Sequence, residues 1–185
     1  MSEPHIRLAQ PADARAIAQV RVDAWRATYR GLIPDAYLDA MKIEDSTALW
    51  DKVLTAAPNT TNTFVAEADG RVVGFAAGMM KPEAKVGFDA ELTGIYIVRD
   101  AQRMGLGRRL VATVAAAQRA HGATGMIVWV IAGNKAARSF YERLGAALVV
   151  EQPFTWDGLD MVEAGYGWHD LPALVAAGGA AAVVH

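Results

Sequence analysis

Apolar positions along the chain change period several times, and each change marks an element. Ile6 and Leu8 alternate in a short first strand, Pro4 to Ala9. From Gln10 a helical period takes over and runs to about Tyr29. Ile17, Val20 and Ala24 form one row, and Val22, Trp25 and Tyr29 form another. Pro11 and Asp13 near its start are helix-start signals. Two apolar rows imply packing on more than one side. Arg30-Gly31-Leu32-Ile33-Pro34 breaks this helix. A short helical piece follows from Asp35 to Met41, and a third helix covers Glu44 to Ala57, stopping before Pro58. After the polar stretch Asn59–Asn62, Phe64–Ala68 and Arg71–Gly78 predict strands joined by a tight Asp69-Gly70 turn. A polar connection, Lys81–Gly87, leads to a strand over Phe88–Val98, antiparallel to the one before. A glycine-containing turn then opens a helix to about Ala120, ending at His121-Gly122. Met126–Ile131 is continuously apolar, as in a buried strand parallel to Leu92–Val98. A helix from Asn134 to Leu144 ends on Gly145. Ala147–Phe154 and Leu159–Trp168 form a last hairpin around Trp156-Asp157-Gly158. The order β, three helices, βββ, α, β, α, ββ predicts an α/β fold: a mixed, largely antiparallel sheet with a central parallel pair, flanked by helices.

Composition narrows the function. The chain has 185 residues, 53% of them hydrophobic and 21% charged, with a formal net charge of −2. One domain over residues 1–170 with a tail over 171–185 accounts for this length. No basic excess exists to drive nucleic-acid binding. No apolar run approaches membrane-spanning length, and Met1 to His5 lack a signal core, so a cytoplasmic protein without membrane partners is expected. The absence of cysteine excludes disulfides, thiolate metal sites and a cysteine nucleophile. His5, His121, His169 and His185 are scattered without metal-ligand spacing, so no metal is expected. The alanine- and glycine-rich tail either covers a contact between two copies of the chain, as in a homodimer, or stays disordered.

The stretch that carries chemistry is Gln102-Arg103-Met104-Gly105-Leu106-Gly107. A strand, a glycine turn and a helix in that order aim free N–H groups and the positive end of a helix dipole at one point, which makes an anion cradle. Three phosphate ligands compete. A nucleotide P-loop needs Lys and then Ser or Thr after its last glycine, but Arg108 and Arg109 stand here. A dinucleotide fingerprint needs a third glycine where Leu110 stands, and an acidic residue after the next strand, where Ala132-Gly133-Asn134 stand. The third ligand is the pyrophosphate of coenzyme A. Gln102-x-x-Gly105-x-Gly107 resembles the Arg/Gln-x-x-Gly-x-Gly/Ala signature of the GNAT acetyltransferase superfamily. The segment from Asn134 through Ala137, Phe140 and Tyr141 to Gly145 resembles that superfamily's later Asn-x-x-Ala-x-x-Phe-Tyr-x-x-x-Gly segment. The likeness extends from Ile6 to about Trp168, and Trp25-Arg26-Ala27-Thr28-Tyr29-Arg30-Gly31-Leu32 resembles a subgroup without a settled substrate.

The resemblance implies the GNAT, or acyl-CoA N-acyltransferase, fold, whose central parallel strands splay apart. It also implies acetyl-CoA as co-substrate and transfer of its acetyl group, by direct attack, to a primary amine of a small molecule, amino acid or protein. A non-catalytic acyl-CoA-binding module on the same fold is the alternative. The expected cofactor contacts are backbone groups of Tyr96 and Ile97 for the pantetheine arm. Gln102, Arg103, Met104, Gly105, Leu106, Gly107 and Arg108 would take the pyrophosphate, with Asn134, Ala137 and Tyr141 on the later helix. Tyr141 is the expected acid for the departing thiolate. Glu91, at the start of the central strand, is the candidate base, with Asp89 in reserve. Trp25 and Tyr29, four residues apart on one helix, are the expected acceptor-binding residues, together with the last hairpin near Phe154 and Trp156.

Overall fold

The computed structural model describes residues 2–56, 61–81 and 86–179. Parts of the polar stretches expected at 59–62 and 81–87, and the end of the tail with His185, lie outside the described residues. Seven strands form one sheet in the order β1-β2-β3-β4-β5-β7-β6. They are β1 (His5–Leu8), β2 (Thr61–Ala68), β3 (Arg71–Met80), β4 (Ala90–Ile97), β5 (Met126–Ile131), β6 (Ala147–Trp156) and β7 (Leu159–Trp168). The helices are α1 (Ala14–Thr28), α2 (Asp35–Ala40), α3 (Ile43–Thr55), α4 (Leu106–Ala120), α5 (Lys135–Arg143) and α6 (Leu171–Gly178).

Strand alternation sets the layers. Side chains two apart share a face, so Phe64, Ala66 and Ala76 meet Leu106, Leu110, Val111 and Val114 of α4. Their neighbours Val65, Phe75 and Ala77 meet Ile17 and Val20 of α1 and Trp50 of α3 on the other face. Arg7 ties β1 to the start of this layer, bonding Asp13 at 2.7 Å and Glu67 at 3.0 Å.

β4 and β5 are parallel but pair only where Ala90–Leu92 faces Met126–Val128. One residue further, the β3–β4 register jumps from Gly78↔Leu92 to Ala77↔Gly94. Thr93 is the extra residue of this bulge, and its hydroxyl donates to the Ala77 carbonyl at 3.0 Å. A bulge bends its strand, and from here β4 and β5 part. The later half of β4 keeps β3 on one edge and has no β5 partner on the other.

The segment expected either to cover a contact between two copies or to stay disordered is, as far as it is described, a helix packed on its own chain. Leu171 to Gly178 is helix α6, capped by the Asp170 carboxylate, which accepts from Ala173 N at 2.9 Å, with Pro172 in the first turn. Leu171 and Leu174 are buried in the same core as α4. Gly178 allows close packing: a Cβ there would lie 2.0 Å from Ala112 Cβ. Asp170, Pro172 and the Leu171–Leu174 spacing are legible start signals; alanine-rich composition masked them.

Candidate active site

The gap between β4 and β5 organises everything chemical in the molecule. Val98 N donates to Val73 O across the β3 edge. Backbone groups alternate along an antiparallel strand, so Tyr96 also turns its amide to β3, while Ile95 and Ile97 turn theirs into the gap. Of the two backbone positions expected to meet the cofactor, Ile97 thus faces the gap by its main chain and Tyr96 does not. The Ile97 carbonyl is already held by Gln102, whose Nε2 donates to it at 2.9 Å.

The turn after β4 has the backbone of an anion cradle. Arg103 and Gly105 both adopt left-handed conformations, φ 63° and 75°. Such alternation turns successive N–H groups toward one point, at the N-terminus of the fifteen-residue helix α4. The two glycines serve different ends. Gly105 supplies the left-handed cap, and a Cβ on it would meet nothing within 4 Å. On Gly107 a Cβ would lie 3.0 Å from Phe140 Cζ and 3.5 Å from Ile97 Cδ1. Gly107 is thus a packing position between α4 and α5, a role the motif alone did not reveal. Met104 is exposed while Leu106 is core. Arg109 is occupied elsewhere, bonding Glu3 and the Pro4 carbonyl at 3.1 Å each.

On α5, Asn134 is the N-cap: its Oδ1 accepts from Ala137 N at 3.1 Å. Arg138 fastens the helix to β6 and β7, bonding Tyr166 Oη at 2.9 Å and Glu151 at 2.7 Å. The α5 residue that enters the core is Tyr141. Phe140 and Leu144 are only half-buried, whereas Tyr141 is buried in the main core. Its ring packs edge-on against Phe140 and Trp168, with centroids 5.3 and 5.9 Å apart. Burial pushes the Tyr141 hydroxyl pKa well above its ordinary value, with the Tyr96 hydroxyl adding to the shift. Among the described residues this hydroxyl has no protein hydrogen-bond partner.

On the opposite, α1 face of the sheet the gap meets a cavity of about 310 Å³. Its walls include Trp25 and Tyr29 of α1, Thr93, Gly94 and Tyr96 of β4, Trp129 of β5 and Trp156 of β6. Trp25 stacks tilted on Trp156 and edge-on to Tyr29, both at 4.9 Å between centroids. The expected acceptor residues therefore line one space with the last hairpin, and Phe154 lines it too. They are also core: Trp25 is 8% exposed, and its indole nitrogen is buried close to the Tyr96 hydroxyl but outside hydrogen-bond geometry. Burial pushes the Tyr29 hydroxyl pKa far up, and it faces Tyr96, Tyr141 and the Asn134 amide. Arg26 and Arg30 set the wall from behind. Arg26 donates to the carbonyls of Leu38 and Met41 at 3.1 and 2.7 Å, and Arg30 bonds both Asp35 and Asp39 of α2.

The two candidate bases lie outside this lining. Glu91 sits on the closed, paired part of β4, bonded to Lys81 at 2.9 Å. Asp89 accepts from the backbone of Thr124 and Gly125 and from the Thr124 hydroxyl at 2.8 to 3.0 Å. Burial works against its charge, but these bonds outweigh that and hold its pKa below the ordinary value. The carboxylate that does line the cavity is Glu163 of β7, and the guanidinium is Arg21 of α1. Sequence reading passed over both. Arg21 stands four residues before Trp25 on the row already recognised, and Glu163 shares strand parity with Met161, another wall residue.

Two separate features therefore meet at the strand gap: a left-handed turn at the α4 N-terminus on one face and an aromatic cavity on the α1 face. The acetyltransferase (GNAT) family model matches residues 19–146, and the chain belongs to this family of acetyl-CoA-dependent acyltransferases. It is 37% identical over 171 residues to the uncharacterized N-acetyltransferase YuaI of Bacillus subtilis (strain 168), covering 91% of this chain and 95% of that one. The fold matches the PaiA N-acetyltransferase of Thermoplasma acidophilum in complex with coenzyme A, with a TM-score of 0.67 at 19% identity over 88% of this chain and 98% of that one. It also matches yncA of Salmonella typhimurium with its cofactor acetyl-CoA, with a TM-score of 0.65 at 19% identity over 91% and 94%.

Proposed function

We propose that the chain transfers the acetyl group of acetyl-CoA to a primary amine held in the aromatic cavity, by direct attack. The observation that carries this reading is that the cavity opens onto the unpaired edge of β4, opposite the side where Arg103, Gly105 and the α4 N-terminus form the cradle. Acetyl-CoA supplies the acyl group as a thioester. Backbone amides of the Gln102–Arg108 turn take the pyrophosphate, with Arg103 and Arg108 adding charge. Ile95 and Ile97 offer their gap-facing backbone groups to the pantetheine arm, and one such N–H stabilises the tetrahedral oxyanion, a contact worth about 3 kcal/mol. The amine nitrogen bonds to the thioester carbon, the C–S bond breaks with its electron pair on sulfur, and the ammonium proton is released. R–NH3⁺ and acetyl-CoA become the acetamide, CoA thiol and a proton.

Tyr141 is the donor to the departing sulfur. Its raised pKa sharpens that role: a phenol held this firmly protonated stabilises the thiolate by a hydrogen bond more readily than it surrenders a proton. Glu91 is tied to Lys81, so as a base it works only through water. Glu163, in the cavity wall without a cation partner among the described residues, is better placed to receive the amine. Trp25 and Tyr29, part of the Trp-Arg-x-Thr-Tyr-x-Gly-Leu stretch, line the acceptor side, while Arg26 and Arg30 of the same stretch brace it.

The test is a pair of measurements. Acetyl-CoA at a hundredfold its Kd should stabilise the protein by about 2.7 kcal/mol, a melting shift of about 5–11 °C for a chain of this size; NADH should give none. Thiol release should then appear with acetyl-CoA and a suitable amine. No shift with CoA overturns the cofactor assignment. A shift without thiol release over a broad amine panel would make the protein an acyl-CoA-binding module.

A further inference from the structure

The cavity wall carries two uncommitted charges of opposite sign. Glu163 accepts one hydrogen bond, from Gln152 Nε2 at 2.9 Å, and has no cation partner among the described residues. Arg21 has no carboxylate partner among them either; its guanidinium lies 4.8 Å above the Trp25 ring. Arg7, Arg30, Arg109 and Arg138 are bound by carboxylates and Arg26 by carbonyls, and of the remaining arginines Arg21 is the one that lines this cavity. A guanidinium and a carboxylate that line one small cavity without bridging each other leave both charges for a ligand.

Arg21 is also on the wrong face to serve the cofactor phosphates. It projects from α1, whereas the cradle is at the start of α4 across the sheet. Glu163 is level with the reacting region. It is the β7 partner of Ile131, the last residue of β5, which lies beyond the Ala90–Leu92 pairing with Met126–Val128 and therefore beside the gap. Between the two charges the walls are Trp25, Trp129, Trp156 and Met161. A volume of about 310 Å³ is at the small end of ligand sites. Arg21 also borders a second cavity of about 390 Å³, whose lining mixes Tyr37, Met41 and Leu49 with Lys42, Asp45 and Asp157.

We infer that the acceptor is a compact zwitterion, an α-amino acid with an apolar or aromatic side chain. Its ammonium lies at Glu163 against the indole faces, where cation–π attraction adds to the charge pairing, and its carboxylate lies at Arg21. Glu163 orients the ammonium and takes its proton as the N–C bond forms, releasing it to solvent afterwards. This inference rests on the acetyltransferase reading above. A lysine side chain in a protein would satisfy Glu163 but leave Arg21 without an anion.

The experiment measures thiol release at saturating acetyl-CoA with matched acceptors: L-phenylalanine, L-leucine and L-tryptophan, then phenylalanine amide and phenethylamine, which lack the carboxylate, and a lysine-containing peptide. The amino acids should exceed their carboxylate-free analogues in kcat/KM by about tenfold or more, as expected for a lost charge-assisted contact. Arg21→Met should bring that ratio near unity while leaving the melting shift with CoA intact. Glu163→Gln should lower kcat/KM for every amine and move the pH profile, yet preserve the preference for a carboxylate. Phenethylamine or the peptide matching the amino acids, or an unchanged ratio in Arg21→Met, overturns the inference while the acetyltransferase reading stands. CoA binding without acetylation of any amino acid overturns it as well. Failure of CoA to bind overturns the reading beneath it.

Discussion

Replacing Gly107 by alanine separates packing from phosphate approach at the cofactor turn. The added Cβ would meet Phe140 Cζ at 3.0 Å, Phe140 Cε2 at 3.1 Å and Ile97 Cδ1 at 3.5 Å. All three are side-chain atoms, and Phe140 is only half-buried, so the ring can yield a few tenths of an ångström. Against that cost stands the gain of replacing glycine within a helix, about 0.5–1 kcal/mol. The two nearly cancel, and the melting temperature should stay within about 3 °C of wild type. Gly105→Ala is the contrast. It meets nothing, but its φ of 75° costs a side chain about 1–2 kcal/mol, a fall of about 2–8 °C. It also forces the turn whose N–H groups form the cradle. Urea unfolding followed by tryptophan fluorescence reads the stabilities, and calorimetric titration reads CoA affinity. CoA affinity should stay within about threefold of wild type in Gly107→Ala and fall by about tenfold or more in Gly105→Ala. If Gly107→Ala instead loses affinity with unchanged stability, the phosphate needs the bare Cα at Gly107, and the packing account of that glycine is wrong.

Tyr141→Phe should leave stability within about 0.5 kcal/mol, because the hydroxyl holds no protein hydrogen bond among the described residues, and should leave CoA affinity unchanged. It should lower kcat by about a hundredfold; equal losses in turnover and CoA affinity would make Tyr141 a packing residue. Leu171→Ala should cost about 2–5 kcal/mol in denaturant unfolding without altering CoA affinity, and a cost near zero would mean that α6 is not docked. Asp13, held down in pKa chiefly by its hydrogen bond from Arg7, and Asp89, held down despite its burial, should contribute stability that is fully present above the unfolded carboxylate pKa of about 3.9. That stability is lost as pH falls through their lower folded values, so unfolding free energy should decline with acid and decline less steeply in Asp13→Asn and Asp89→Asn; parallel slopes would refute the assignment.

The proposed donor half of the site could be read from the sequence because it is local. Six consecutive residues, Gln102 to Gly107, specify the turn, and Asn134 with Tyr141 follow on one short helix. Their spacing survives without knowledge of the fold. The proposed acceptor half is assembled from α1, β4, β5, β6 and β7, and each contributor has an ordinary local reading. Glu163 reads as an outward residue on a strand, Trp129 as part of a buried run, and Arg21 as a solvated helix position. Only the sheet order, which inserts β7 between β5 and β6, brings Glu163 beside Ile131. The β4–β5 splay was expected from resemblance, but its cause, the Thr93 bulge, leaves no signature in a strand already rich in small and branched residues. Glu91 drew attention because it begins the central strand. Its position before the bulge, on the paired segment, gives it to Lys81 instead.

One pair of residues joins the two halves. Asn134 caps α5 by accepting from Ala137 N, and its side chain lies near the Tyr29 hydroxyl on the cavity wall. α5 carries Tyr141, whose hydroxyl lies near those of Tyr29 and Tyr96. The α1–α2 connection that holds Tyr29 is itself fixed by Arg26 and Arg30 on α2. On the proposed reading, an acceptor that shifts α1 against the sheet also bears on the helix that carries Tyr141. Removing the Tyr29 hydroxyl takes away a neighbour of the Asn134 side chain without touching the cavity's charged residues. The coupling then shows as a change in kcat at constant CoA affinity, distinct from the change in acceptor preference that follows from Arg21.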